Sequence, residues 1–305
     1  MTLLVTGASG FLGLNLLDAF DDRDVRAMVR PATSTARIPD GVETVAADLT
    51  EPESLAEAMD GVDSVVHLAA EAYAEAAMEG TNVTGTERLV DAADEQGVEQ
   101  FVFLSTIGAH PEVPIDPDST YQQSKLASEN LLLGGDHAFD VSVLYPTYIF
   151  GPRDYRLARY DVVRTIAANR VLVPPLYTHD EYNIVHVDDV IGSVAHCLDA
   201  GATGRHLVTG PNLSNLQVLR AIARHTPGNC RIVGVPYSVT RWGIKPTLDV
   251  LHRLGISPVP GDAFLERGDY GTVREELTEQ APVRQRSWES ALADTIAWYE
   301  TVGVL

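Results

Sequence analysis

The sequence predicts an α/β fold, a doubly wound parallel sheet followed by a smaller C-terminal mixed α/β lobe. Three observations carry it. Short apolar runs alternate with helix-spaced segments through the first two thirds of the chain, as in a parallel sheet covered on both faces. The first run, residues 3–5, passes at once into Gly7, Gly10 and Gly13 and then into apolar positions at Leu14, Leu16, Leu17 and Phe20. After Gly151-Pro152 the alternation loosens into a mixed pattern.

In chain order, a second strand covers residues 25–29 and ends at Arg30-Pro31. A third covers 42–46 and runs into Asp48-Leu49. A helix follows from 50 to about 59: Thr50 can cap it, Pro52 suits its first turn, and the acids favour its N-terminal dipole. Residues 64–68 form a fourth strand, 80–96 a long helix, 100–105 a fifth strand, 119–133 another helix and 141–145 a sixth strand. Beyond Pro152, 154–169 is helical, 171–180 a Pro-rich loop and 183–185 a short strand. A helix at 188–199 and a strand near 206–208 return to the sheet. From about Gly210 onward a mixed lobe carries helices near 214–224 and 288–301. The division expected is 1–152 with 183–209 for the sheet domain, and 153–182 with 210–305 for the lobe.

Composition narrows the function classes. Lys+Arg is 22 against Asp+Glu 43, a net charge of −21, which repels nucleic acid and anionic membranes. The only lysines are Lys125 and Lys245. High acidity with so little lysine fits a salt-adapted protein, or an ordinary acidic enzyme. No stretch approaches the ~18 unbroken apolar residues of a spanning helix, and no basic leader precedes the first strand, so a cytoplasmic location is expected. Cys197 and Cys230 have no metal-ligand spacing and read as free thiols.

Strand, glycine turn and helix together aim free backbone N–H groups and a helix-dipole end at a pyrophosphate. Gly7 allows the tight turn, Gly10 lets backbone approach phosphate, and Gly13 lets helix pack on strand. The spacing is Gly-x-x-Gly-x-x-Gly, and alone it is a weak signal. On the helix at 119–133, Tyr121 and Lys125 stand at i and i+4 and so share a face. A lysine cation near a phenol is expected to lower its pKa and poise it for proton transfer, with a positive nicotinamide adding to the effect.

With these residues in view, the chain resembles an extended short-chain dehydrogenase/reductase of the NAD-dependent epimerase/dehydratase type, nearest in pattern to the dihydroflavonol-reductase-like branch. The matching motifs, in the family's order over roughly residues 2–210, begin with Val5-Thr6-Gly7-Ala8-Ser9-Gly10-Phe11-Leu12-Gly13, Asp48-Leu49 and His67-Leu68-Ala69-Ala70. Asn82-Val83-Thr84-Gly85-Thr86, Ser105-Thr106 and Tyr121-x-x-x-Lys125 follow. Tyr145-Pro146-Thr147-Tyr148-Ile149-Phe150-Gly151-Pro152-Arg153 and Val185-His186-Val187-Asp188-Asp189-Val190 complete the set. The resemblance implies a Rossmann domain with Tyr121 as acid–base residue, Lys125 as its electrostatic support and Thr106 as the hydroxyl on the substrate oxygen, with Ser105 beside it. Gly7, Ser9, Gly10, Phe11, Leu12 and Gly13 would cradle the dinucleotide. Asp48 and Leu49 would meet adenine, and Leu68, Ala69 and Ala70 would lie along its bridging region. Ser105, Tyr121, Lys125, Tyr145, Pro146 and Tyr148 would surround the nicotinamide end.

Two departures stand out: Thr106 and Tyr121 lie closer in sequence than in many members, and Tyr145 replaces the usual arginine. Both are expected to fall near the substrate. At the end of the second strand Val29-Arg30 stands where an acid would select NAD, with Thr33, Ser34 and Arg37 nearby. NADP(H) is therefore favoured over NAD(H), although Arg30 could instead stack on adenine.

The activity expected is hydride transfer at a carbonyl or carbinol carbon. A net NADPH-dependent carbonyl reductase is the first reading and a nucleotide-sugar 4-epimerase or dehydratase with tightly held NAD the alternative. A non-catalytic dinucleotide sensor comes third. Arg153, Arg156, Arg159 and Arg164 form a basic face that either recognises an anion or pairs with surface acids. His67 reads as strand-end packing. His186, Asp188 and Asp189 read as capping, not as a metal site, the acids being the expected caps. The family often forms homodimers through its two long helices, here 80–96 and 119–133.

Overall fold

A computed structural model describes residues 1–155, 160–172, 181–234, 236–255 and 286–305. Its centre is a seven-stranded parallel sheet. The strands are β1 (Thr2–Thr6), β2 (Asp24–Val29), β3 (Glu43–Ala46), β4 (Ser64–His67), β5 (Gln100–Leu104), β6 (Asp140–Pro146) and β10 (Gly204–Val208), in the order β10-β6-β5-β4-β1-β2-β3. The order reverses between β1 and β4. Leu3 to Thr6 pair in register with Ser64 to His67, so the turns leaving these two strands flank the crevice where such sheets take ligands.

One face buries Leu55, Met59, Leu89, Phe101 and Leu132 beneath α2 (Pro52–Met59), α4 (Gly85–Gln96) and α5 (Thr120–Gly134). The other buries Leu16, Leu17, Val66, Val190 and Val194 beneath α1 (Phe11–Ala19) and α7 (Val187–Ala200). Apolar burial on both faces explains why the strand runs are continuous rather than alternating.

Several predicted elements shift. The first long helix begins before Gly80: a short α3 (Glu75–Met78) leads through a π-helical stretch (Glu79–Thr84) into α4. Thr50 does not cap α2. Glu51 holds that position without a side-chain bond, and the Thr50 hydroxyl turns back to Asp48 Oδ1 at 2.7 Å. The strand at 183–185 is the middle of β9 (Glu181–His186). It pairs with β7 (Tyr148–Phe150) and β11 (Asn212–Ser214) in a separate three-stranded sheet, not with the large one. The helix read at 154–169 starts later: Asp154 and Tyr155 are not helical, 156–159 lie outside the described residues, and α6 covers Tyr160–Ala168. Most of the Pro-rich loop lies outside the described residues, its opening being β8 (Val171–Leu172).

In the lobe, α8 (Asn215–His225) opens on a capping box between Ser214 and Gln217. A short β12 (Arg231–Ile232) pairs with β8, and the C-terminal helix, α11 (Trp288–Thr301), has its predicted bounds. Not foreseen were α9 (Tyr237–Val239) and α10 (Lys245–Arg253), the latter without a buried residue. No described helix is long and apolar enough to cross a membrane.

Candidate active site

The glycine turn is built for close approach. Gly7 has φ +69°, and a Cβ there would lie 2.7 Å from the Ala69 backbone nitrogen, so the turns after β1 and β4 touch. At Gly13 a Cβ would sit 2.4 Å from Gly7 O, which fixes the contact of α1 with the turn. The first turn of α1 carries no side-chain cap and no acid, leaving its N–H groups and positive dipole end toward the crevice. Asn15 ties α1 to the far side of the cleft, donating to Pro152 O at 3.0 Å, and Arg153 pairs with Asp18. A cradle that excludes side chains and an uncapped, acid-free helix end fit a dinucleotide pyrophosphate. When bound, such a cofactor supplies or accepts a hydride.

Behind the turn runs a directed chain of buried hydrogen bonds. Ala69 N–H donates to Thr6 Oγ1 (3.2 Å), whose hydroxyl donates to His67 Nδ1 (2.7 Å). His67 Nε2–H donates to Thr86 Oγ1 (2.9 Å), which donates to Asn82 O. Burial first, then the Lys125 charge, holds the His67 pKa down near 3, so the ring is a neutral strut between sheet and helix. Asn82 continues the connection: its Nδ2 donates to Ser124 Oγ at 2.8 Å, and Ser124 Oγ to Tyr121 O at 2.8 Å. The π-helical stretch lets Asn82 O also accept from Ser128. The sequence reading gives neither Asn82 nor Ser124 a role. Ser124 lies between Tyr121 and Lys125, but no local signal links Asn82, on a different element, to that pair.

On α5, capped by Ser119, Lys125 is buried at 2% exposure. Its Nζ donates to Leu104 O at 2.7 Å and sits 4.6 Å from the Phe103 ring centre. That bond pins α5 to the end of β5, two residues before Thr106. On the other side of Thr106, the Gln122 side chain fills the space where a Gly108 Cβ would lie, at 2.5 Å. Tyr121 lies one helical turn before Lys125 on the same face of α5, and its neighbour Gln122 meets the segment just after Thr106. The Thr106 side chain is half-buried. Ser105 is buried and its Oγ has no hydrogen-bond partner, so Thr106 offers the more accessible hydroxyl.

The electrostatics differ from the expectation. Burial, with the neighbouring Tyr73 phenol, pushes the Tyr121 pKa up to about 12 instead of lowering it. Lys125 does not acidify it, because its Nζ points down to Leu104 and burial brings its own pKa down to about 7.

The remaining expected contacts divide. Ser9, Gly10, Phe11 and Leu12 lie on the turn and the first helical residues, half-buried and open to the crevice, as do Leu68 and Ala70 after β4. Asp48 Oδ1 accepts from the Thr50 N–H (2.9 Å) and hydroxyl, contacts that hold its carboxyl below the usual range. Leu49 is buried against Gly85. Arg30 is exposed at the end of β2, whereas Arg37 stacks over Tyr155 at 3.9 Å. Pro146 ends β6 and Tyr148 is 41% exposed.

Tyr145 is a correction. Its side chain is fully buried, and Arg205 Nε donates to its Oη at 3.0 Å and to the buried Glu129 at 3.1 Å, so it faces the core under α5 and neither cofactor nor substrate. At the start of α7 the cap is His186, whose Nδ1 accepts from Asp188 N at 3.2 Å, not the acids. Those bind Arg286, at 2.7 Å for Asp188. Of the basic face, Arg153 pairs with Asp18 and Arg164 lies 4.0 Å from Asp161. Arg156 and Arg159 lie outside the described residues.

Comparison with known proteins agrees with this geometry. The sequence model of the NAD dependent epimerase/dehydratase family matches residues 3–210. Sterol demethylase protein B of Methylococcus capsulatus is 30% identical over the full length of both chains. A dTDP-glucose 4,6-dehydratase of Streptomyces griseus is 31% identical over 71% of this chain and 76% of its own. The structure of Thermus thermophilus UDP-glucose 4-epimerase with NAD superposes with a TM-score of 0.69, at 23% identity, over 98% of this chain and 99% of the other.

Proposed function

From the premise that the chain belongs to the NAD-dependent epimerase/dehydratase family, we propose that this enzyme is a net carbonyl reductase that draws on NADPH. What supports the reading is the Tyr121 phenol, held protonated by burial on the face of α5 that also carries Lys125. A protonated phenol is an acid ready for a carbonyl oxygen. In the reduction, the carbonyl carbon gains a hydride, its oxygen takes the Tyr121 proton, and Tyr121 regains one from solvent. Thr106 orients the oxygen by hydrogen bonding. Lys125 and the Asn82–Ser124 link fix the helix turn that bears the phenol. The full-length relative named for sterol demethylation supports a reaction on something other than a nucleotide sugar.

A second reading, a nucleotide-sugar 4-epimerase or 4,6-dehydratase, is favoured by the dehydratase relative and shares these residues. The two differ in what happens to the cofactor. An epimerase returns the hydride to its substrate and keeps NAD, whereas a net reductase must exchange its nicotinamide. Mass spectrometry of the purified protein should find no tightly retained NAD. A stoichiometric NAD would transfer the reading to the epimerase.

Cofactor preference rests on Arg30, exposed just past the end of β2, where the sequence has arginine in place of an acid that would bond a ribose hydroxyl; its charge also helps hold the Asp48 carboxyl down. Hydrogen bonds to charged groups contribute about 1.5–3 kcal/mol. Arg30→Ala should therefore weaken NADPH binding roughly ten- to hundredfold and leave NADH within about twofold. Wild-type protein binding NADH more tightly than NADPH would overturn the assignment.

A further inference from the structure

We propose that the substrate is an apolar, alicyclic secondary alcohol or ketone whose hydrocarbon body is buried in a cavity of the C-terminal lobe. The proposal rests on the carbonyl-reduction reading and names the substrate class of that same site. The cavity has a volume of about 250 Å³ and lies between β7, β9, α6, α8 and α11. Its walls are hydrocarbon: Phe150 and Ile184 from the small sheet, Val218 and Ile222 from α8, Leu292 and Ile296 from α11.

Position ties it to the reacting groups. Tyr148 and Asp161, both exposed, form the rim. Tyr148 opens β7 two residues after the end of β6, and β6 pairs in parallel with β5, whose carboxyl end leads into Thr106. Tyr148 thus links the rim of the cavity through the chain to the carboxyl ends of β5 and β6, where Thr106 lies.

The lining also says what does not fit. A nucleoside diphosphate calls for cations or clustered N–H donors. The described lining holds no lysine or arginine, and its one charged side chain, Asp161, repels phosphate. Asn215 and Thr295 are the other polar side chains besides the tyrosine hydroxyls, and Thr295 spends its proton on Ala291 O at 2.8 Å. At roughly 30 Å³ per water, the space equals about eight waters, room for a body of about two fused rings. Each methylene that reaches it should tighten binding about fourfold.

The test uses the full-length enzyme with NADPH and a series of ketones sharing one carbonyl environment: cyclohexanone, a decalone and a perhydrophenanthrenone. UDP-glucose and dTDP-glucose are run beside them. The expected result is that kcat/KM rises at least tenfold per added ring. Val218→Phe, which narrows the cavity, should cancel that gain. Should Val218→Phe fail to fold, Ile222→Phe serves in its place, with thermal melting as the control. Saturable binding of decalin to the enzyme, read by ligand-observed NMR and lost in the same variant, gives a measure independent of turnover.

Turnover of either nucleotide sugar with no gain along the ketone series would overturn the proposal and leave hydride transfer standing. Decalin binding that Val218→Phe abolishes, with no reduction of any ketone, would remove the reductase reading and keep the ligand class. No decalin binding at all would reduce the cavity to a packing void and end the proposal.

Discussion

Replacing Tyr121 by Phe is expected to lower kcat for carbonyl reduction by about 10²–10⁴-fold while changing the dissociation constant for NADPH by less than about threefold. The asymmetry follows from position. The turn that would hold the pyrophosphate is built from backbone after β1 and β4, whereas the phenol is a side chain of α5, a helix tied through Lys125 to the end of β5. Because burial holds the phenol near pKa 12, the donor form is complete at neutral pH, and reduction needs no prior ionisation of this group. The reverse reaction needs the phenolate, whose population grows tenfold per pH unit below that value. Alcohol oxidation by the wild type should therefore steepen with rising pH, and the Phe variant should lose that dependence. The measurements are steady-state kinetics in both directions and a cofactor titration. A variant with wild-type turnover would mean that a group other than Tyr121 supplies the proton.

Much of this was legible in the sequence, because its signals are local. Gly7 and Gly13 declare themselves by spacing, and the structure supplies their reason: φ +69° at one and backbone 2.4 Å from a would-be Cβ at the other. The paired apolar strands are legible for the same reason. What escaped depends on groups far apart in the chain. The π-helical stretch before α4 has no propensity signature, and its value is tertiary, since it releases Asn82 O to accept from both Thr86 and Ser128. Tyr145 resembled a site residue by its place beside Pro146. Only pairing with β10 reveals that Arg205, on the neighbouring strand, binds its hydroxyl in the core. The Tyr-Lys spacing correctly put both groups on one helix face. It could not show that the ammonium turns toward Leu104, a direction set by β5.

That direction makes Lys125 the residue where stability and chemistry oppose each other most. Burial lowers its pKa from 10.5 to about 7, and at about 1.4 kcal/mol per unit the charged form costs roughly 5 kcal/mol in the folded protein. The bond to Leu104 O returns about 1 kcal/mol of what Lys125→Met would otherwise gain. Lys125→Met is thus expected to raise the melting temperature by roughly 5–15 °C at pH 7. The pH dependence has a definite sign. Between pH 7 and 10.5 the unfolded chain keeps the lysine proton that the folded protein gives up, so this group makes wild-type stability rise with pH across that window. Below pH 7 both states hold the proton and the full cost is present. The Met variant should lack this component, so the two stability curves converge as pH approaches 10.5. Turnover should move the opposite way, falling by at least tenfold, because the helix turn carrying Tyr121 loses its tie to β5 and the site loses an ammonium. Denaturant unfolding of both proteins at several pH values measures the first effect and steady-state kinetics the second. A Met variant less stable at pH 7, with the gap constant up to pH 10, would mean that Lys125 supports the fold and is not a cost carried for the reaction.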